Sequence, residues 1–252
     1  MKMPLLLAAS MLGLAPALSP MGGHAAELKV LAGGSLTSVL NELGPQFERA
    51  SGHKLVIHFD STPNLIKQAT SGDPFDLAVV PADVFKDAAA KARFTPGPTI
   101  DIAHVGYGLA IRAGAPKPDV STPDAFKRTL IDAKSITYLP ASAAGAYISK
   151  VFERLGIGET MKAKTITQTA PTQIAQAVAR GDAELGVFVI NVLIAPGVEI
   201  AGSFPAELQQ ELVFTAAVAA NSKEAAAAGA FIDYLTSPAA AAVIKARGMN
   251  PG

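Results

Sequence analysis

Short apolar runs alternate along this chain with stretches whose apolar residues recur at helical spacing. That alternation predicts an α/β protein with largely parallel sheets. Leu28–Leu31 reads as a first strand. Ser35 to Ala50 reads as a helix with Leu36, Val39, Leu40, Leu43 and Phe47 on one face, and Pro45 is placed to bend it. Lys54–Phe59 alternates and predicts a second strand, and Asn64 to Thr70 a helix. Leu77–Val80 predicts a buried strand, followed by a helix over Asp83 to Ala92 that Asp83 would cap.

The pattern then breaks at Thr95-Pro96-Gly97-Pro98. The apolar run from Ile100 to Ile111 is too long and glycine-broken for one ordinary strand, and it reads as a strand crossing between two lobes. Arg112 to Pro123 holds three prolines and reads as a surface loop. A second series follows: strands at Ile136–Leu139, Thr165–Thr167 and Leu185–Ile190, and helices at Gly145–Leu155 and Gln173–Arg180, the latter closed by Gly181. Leu212–Ala219 is the expected return crossing. Two helices finish the chain, Ser222 to Leu235 capped by Asn221, and one opened by Ser237-Pro238 and closed by Gly248. This division predicts one lobe over residues 27–105 plus 216–252 and a second over 106–215.

The N-terminus changes the picture. Lys2, the apolar run Pro4 to Leu18 and the small residues ending in Gly23-His24-Ala25-Ala26 form an export signal, with cleavage after Ala25 or Ala26. The run is shorter than the ~20 apolar residues of a spanning helix. Loss of residues 1–26 removes only Lys2 among the charges, so 21 basic and 21 acidic residues become 20 and 21, a net charge of −1. That balance argues against nucleic acid or an anionic membrane surface as the main partner. The absence of cysteine removes disulfides, thiolate catalysis and zinc–cysteine sites together. An exported chain without disulfides must be held by its core, and a periplasmic monomer is expected.

Candidate chemistry concentrates at Gly33-Gly34-Ser35, where an apolar strand gives way to a helix start. The first N–H groups of a helix lack partners inside it and lie at its positive end, so such a turn can receive an anion. The alternative is that Ser35 simply caps the helix. Ser61-Thr62 and Ala144-Gly145 stand before helical patterns in the same way. His53, His58 and His104 are far apart in sequence and lack metal-ligand spacing, so neither a metal nor another cofactor is expected.

Several motifs in order carry a resemblance over nearly the whole mature chain. They are Ala32-Gly33-Gly34-Ser35-Leu36-Thr37, Phe59-Asp60-Ser61-Thr62, Phe75-Asp76-Leu77 with Pro81-Ala82-Asp83, Ala144-Gly145-Ala146-Tyr147, Gly181 to Gly186, and Phe231 to Pro238. With them the chain resembles the periplasmic molybdate-binding proteins of ABC transporters and their wider solute-binding relatives. The resemblance implies a two-lobed periplasmic binding protein fold of type II, with crossing strands as a hinge and a ligand closed between the lobes. It implies delivery to an ABC permease and an oxyanion held by hydroxyls and backbone N–H groups, with no catalytic role. By position it assigns ligand contacts to Ser35, Ser61, Thr62, Ala144 and Gly145.

The chain departs from that pattern in its second half. Pro171 falls near a backbone donor but has no N–H, so the contact passes to Thr172. Val189 falls where the molybdate binders carry a tyrosine, and Ile190-Asn191-Val192 replace a small residue, serine and aspartate. Asp60 precedes the second hydroxyl pair where a small residue is usual. These departures motivate a second expectation in the same class, a small organic anion or another small polar solute. A sensor subunit shares the features of a transport subunit. A secreted hydrolase using Ser35 would need a G-x-S-x-G turn, which is missing.

Overall fold

The computed structural model describes residues 25–252. The expected export signal lies outside the described residues except for Ala25 and Ala26. The first half of the fold contains strands β1 (Glu27–Gly33), β2 (Lys54–Asp60), β3 (Leu77–Pro81) and β4 (Ile100–Val105), with helices α1 (Thr37–Ser51), α2 (Thr62–Thr70) and α3 (Ala88–Lys91). The second half begins at β5 (Tyr107–Arg112). It continues through α4 (Pro123–Asp132), β6 (Ile136–Tyr138), α5 (Ala143–Arg154), α6 (Gly158–Lys164), β7 (Thr165–Thr167), α7 (Thr172–Arg180), β8 (Leu185–Val189), α8 (Ile190–Leu193) and β9 (Val198–Ser203). The chain then returns through β10 (Leu212–Val218), α9 (Ala225–Leu235), α10 (Pro238–Ala246) and β11 (Asn250–Pro251).

Each half is built on a sheet. The first has the order β11-β4-β10-β3-β1-β2 and the second β7-β6-β8-β5-β9. Both contain three adjacent parallel strands, β3-β1-β2 and β7-β6-β8, flanked by antiparallel ones. The inner parallel strands β3 and β8 are continuous apolar runs buried throughout, whereas β1 and β2 alternate between more buried and more exposed positions. The long run Ile100 to Ile111 divides at Gly106 into β4 in one sheet and β5 in the other. β10 joins the first sheet from Leu212, opposite Val105.

Gln209 braces this hinge. Its side-chain amide accepts from the Tyr107 N–H at 2.8 Å and donates to the Tyr107 carbonyl at 3.0 Å, as a neighbouring strand would. Tyr107 is buried, its ring packs on Tyr147 and Phe204, and burial pushes its phenol well above the usual value.

Two caps differ from expectation. Asp83 lies in a 3-10 turn (Ala82–Lys86) and pairs with Lys86 at 2.7 Å, while Asp87 accepts from the Ala90 N–H and starts α3, splitting the helix expected over Asp83 to Ala92. Asn221 lies before the last helices but α9 starts only after Glu224; Ser222 accepts from the Glu224 N–H and donates to Asp76. Ser237 caps α10 as its sequence predicts, accepting from the Ala240 N–H at 3.2 Å. No single helix among the described residues is long and apolar enough to cross a membrane.

Candidate functional site

The carboxyl ends of the parallel strands of both sheets face one another, the usual place for a ligand in such sheets. Between them lies a cavity with about 280 Å³ of empty space including its mouth. This is just below the ~300–1,000 Å³ of typical small-molecule pockets. The enclosed part holds little more than one small ion. The first half supplies Gly33, Gly34 and Ser35 after β1, Asp60, Ser61 and Thr62 at the end of β2, and Pro81. The second supplies Leu139, Ser142, Ala143 and Ala144 around the start of α5, with Pro171 and Phe188. Leu212 and Phe214 of β10 complete the wall.

Ser35 is not a cap. The 3-10 turn that precedes α1 starts from Gly33, α1 itself starts from Leu36, and neither carries a side-chain cap bond. The Ser35 residue is 8% exposed, lines the cavity, and its hydroxyl bonds to no protein group among the described residues. Ser61 does occupy the cap position of α2, yet it makes no capping bond either. Its hydroxyl bonds to no protein group among the described residues and lines the cavity, while its N–H donates to Asp60 at 2.7 Å. Two hydroxyls thus stand at two helix starts without protein partners.

The first N–H groups of α5 divide differently. The Ala143 N–H donates to Thr62 Oγ across the cleft at 3.1 Å, and the Gly145 N–H donates to Ser142 Oγ at 2.9 Å. Ala144 lies between them, lines the cavity, and its N–H has no partner inside the helix. The two halves also meet where Asn191 Nδ2 donates to the Ser35 carbonyl at 2.7 Å. They meet again where Pro171 fills the space a Cβ on Gly34 would need, 3.2 Å away.

Asp60 is the only ionisable residue lining the cavity among those described. Burial pushes its carboxyl up, but hydrogen bonds from Asn64 and the Ser61 N–H, with His58 beside it, outweigh this and hold it below the usual carboxylate value. Gln68 donates to its other oxygen at 3.1 Å. The carboxylate is therefore tied to α2, and among the described residues no cationic side chain lines the cavity.

Of the residues singled out from the sequence, Ser35, Ser61, Thr62 and Ala144 line this one cavity. Gly145 stands behind it, its N–H taken by Ser142 and its Cα packed against the Leu139 backbone. Thr172 lines a neighbouring crevice between the halves. Val189 is fully buried at the end of β8, and its neighbour Phe188 reaches the cavity instead, because successive strand residues face opposite sides. Phe188, Phe214, Leu139 and Ser142 were not singled out. The two phenylalanines sit in strands whose apolar pattern reads as core, and Ser142 precedes the Ala144 motif by two positions.

The family described as bacterial extracellular solute-binding protein matches this chain over residues 28–250. The chain belongs to that family. An aconitate isomerase from Pseudomonas sp is 32% identical over 232 residues, which cover 89% of this chain and 87% of that protein. The molybdate-binding protein ModA of Azotobacter vinelandii is 28% identical over 228 residues, 89% of this chain and 90% of its own length. A solved structure of the Azotobacter vinelandii periplasmic molybdate-binding protein superposes with a TM-score of 0.74 at 22% identity, covering 89% of this chain and 99% of that one. The architecture is the two-lobed fold of periplasmic binding proteins.

Proposed function

We propose that the protein is the periplasmic solute-binding subunit of an ABC importer, working as a monomer, and that it closes on a small oxyanion of the molybdate or tungstate kind. The observation that carries this reading is the convergence of the free Ser35 and Ser61 hydroxyls and the Ala144 N–H on one small cavity without a cation. A buried anion exchanges its water for hydrogen bonds, and donors already fixed by the fold supply them without reorganisation. Ser35, Ser61, Thr62 and Ala144 are the contacts in this reading; Gly145, Thr172 and Val189 support the loops around them. The molybdate-binding relatives and the size of the enclosed space favour an inorganic oxyanion. Export with cleavage after Ala25 or Ala26 belongs to the same reading.

The test is a thermal-shift and calorimetry panel of molybdate, tungstate, sulfate, phosphate and trans-aconitate. An anion at a hundred times its Kd adds about 2.7 kcal/mol of stability. A shift with molybdate or tungstate is the expected result; silence from all inorganic anions overturns the oxyanion reading.

A second reading has its own support in the aconitate isomerase relative and in Asp60 at the cavity wall. Here the Asp60 carboxylate takes a proton from the methylene carbon of an unsaturated tricarboxylate. The double bond shifts along the allyl unit, and the same proton returns to the other terminal carbon. Asp60 would have to give up bonds to Asn64 and Gln68 to do this, and its depressed pKa makes it a weak base. Proton NMR of cis-aconitate with the protein decides it: conversion to trans-aconitate that Asp60→Asn abolishes supports the isomerase, and an unchanged spectrum removes it.

A further inference from the structure

Asn191 bonds to the ligand loop from the opposite half without lining the cavity. It is the second residue of α8 and is 5% exposed. Its Nδ2 donates to the Ser35 carbonyl, while its Oδ1 is buried without a protein partner. An unsatisfied buried amide oxygen disfavours the closed form. The bond to Ser35 is the gain set against that loss, and it exists only when the halves meet. The carbonyl it holds belongs to the peptide that fixes the orientation of the Ser35 turn.

We infer that Asn191 is a positioning residue: on closure its amide locks the Ser35 peptide, which aims the Ser35 hydroxyl at the bound anion and couples capture to closure. This rests on the anion-binding reading above. The crevice beside Asn191, formed with Thr37, Ser38, Thr172 and Gln176, is lined by no ionisable group among the described residues. The charged groups on the surrounding elements are engaged elsewhere. Arg180 of α7 pairs with Asp182 at 2.8 Å and Glu199 of β9 with Lys117 at 3.8 Å. Arg112 at the end of β5 lies against Gly181, and Arg247 after α10 pairs with Glu42 of α1 at 2.9 Å.

The experiment measures molybdate and trans-aconitate binding from about pH 8 down to about pH 5, each variant against wild type at the same pH. Asn191→Ala is expected to weaken binding about five- to tenfold at every pH. Asn191→Asp sets a carboxylate against a carbonyl oxygen, so it weakens binding more than Asn191→Ala at the alkaline end. It recovers toward wild type at the acid end, where a protonated carboxyl can donate to Ser35. An Asn191→Asp that follows Asn191→Ala at every pH, or either variant binding as wild type, overturns the inference.

A protein that binds neither probe overturns the ligand reading instead, and the inference is then read without ligand. The cysteine-free chain allows spin labels at Lys67→Cys in α2 and Lys150→Cys in α5. Asn191→Asp should widen the interlobe distance at the alkaline end and narrow it at the acid end. A distance distribution identical to wild type at both ends overturns the inference.

Discussion

The two halves meet the cavity with different chemistry. The first half offers hydroxyls that have done nothing for the fold: Ser35 caps no helix, and Ser61 sits at a cap position without capping. In the second half the corresponding hydroxyl is spent, since Ser142 accepts from Gly145 and donates to the Leu139 carbonyl at 2.8 Å. Beside it stand Pro171, with no N–H, and the Phe188 ring. The first half therefore presents donors, and the second presents a wall with one N–H, that of Ala144. A ligand can settle on the first half before closure and drive closure only through contacts the second half adds.

The strongest way to break this contrast is at the free hydroxyls. Ser35→Ala and Ser61→Ala should each weaken anion binding by about 1.5–3 kcal/mol, the range for a hydrogen bond to a charged group, with the melting temperature of the ligand-free protein unchanged. Calorimetry and unliganded melting curves read both halves of that statement. Next comes the hinge. Gln209→Leu leaves the Tyr107 N–H without its partner, while the Tyr107 carbonyl keeps the Phe204 N–H, and should cost about 1–3 kcal/mol in denaturant unfolding.

Ser142→Ala is the mirror of the first pair. It should cost about 1 kcal/mol of stability as a lost cap, with anion affinity changed far less than by Ser35→Ala. A large affinity loss with intact stability would move Ser142 into the donor set and erase the contrast.

The smallest effect concerns acid. Asp60 is held in the folded protein below the usual carboxylate value of 3.8, so the stability it contributes is complete above that value. That contribution is lost as pH falls through the lower, folded value. Asp60→Asn should flatten this part of the acid unfolding curve by removing the contribution present at higher pH, so the variant is slightly less stable than wild type near neutrality and converges on it at the acid end, as melting temperatures across that range would record.

Much of the first half was legible in the sequence because local signals coincide there. At Gly33-Gly34-Ser35 an apolar strand, a turn that tolerates close approach and a helix start point the same way. Pro171 does come within 3.2 Å of where a Gly34 Cβ would be. The crossing at Gly106 could be read because no buried strand runs that long.

The second half was less legible. Helices α4 and α6 and strand β9 were not singled out, and β9 is half-buried with Glu199 and Gly202 interrupting its apolar pattern. Phe188 and Phe214 carry no mark that separates a cavity wall from a core, since periodicity reports burial and not what lies opposite. Asn191 stood out only as part of Ile190-Asn191-Val192, a departure from the pattern of the molybdate binders. Its meaning depends on a partner 156 positions away, which local patterning does not encode.

On the proposed reading the cavity wall holds its guest with dipoles, and Asp60, its one ionisable residue among those described, keeps its charge through weakly acidic conditions. Recognition should then be indifferent to acidity over the span in which the guest itself keeps one charge. For a protein working outside the cytoplasmic membrane, where acidity follows the surroundings, the grip would be set by the solute's own protonation and not by the receptor's.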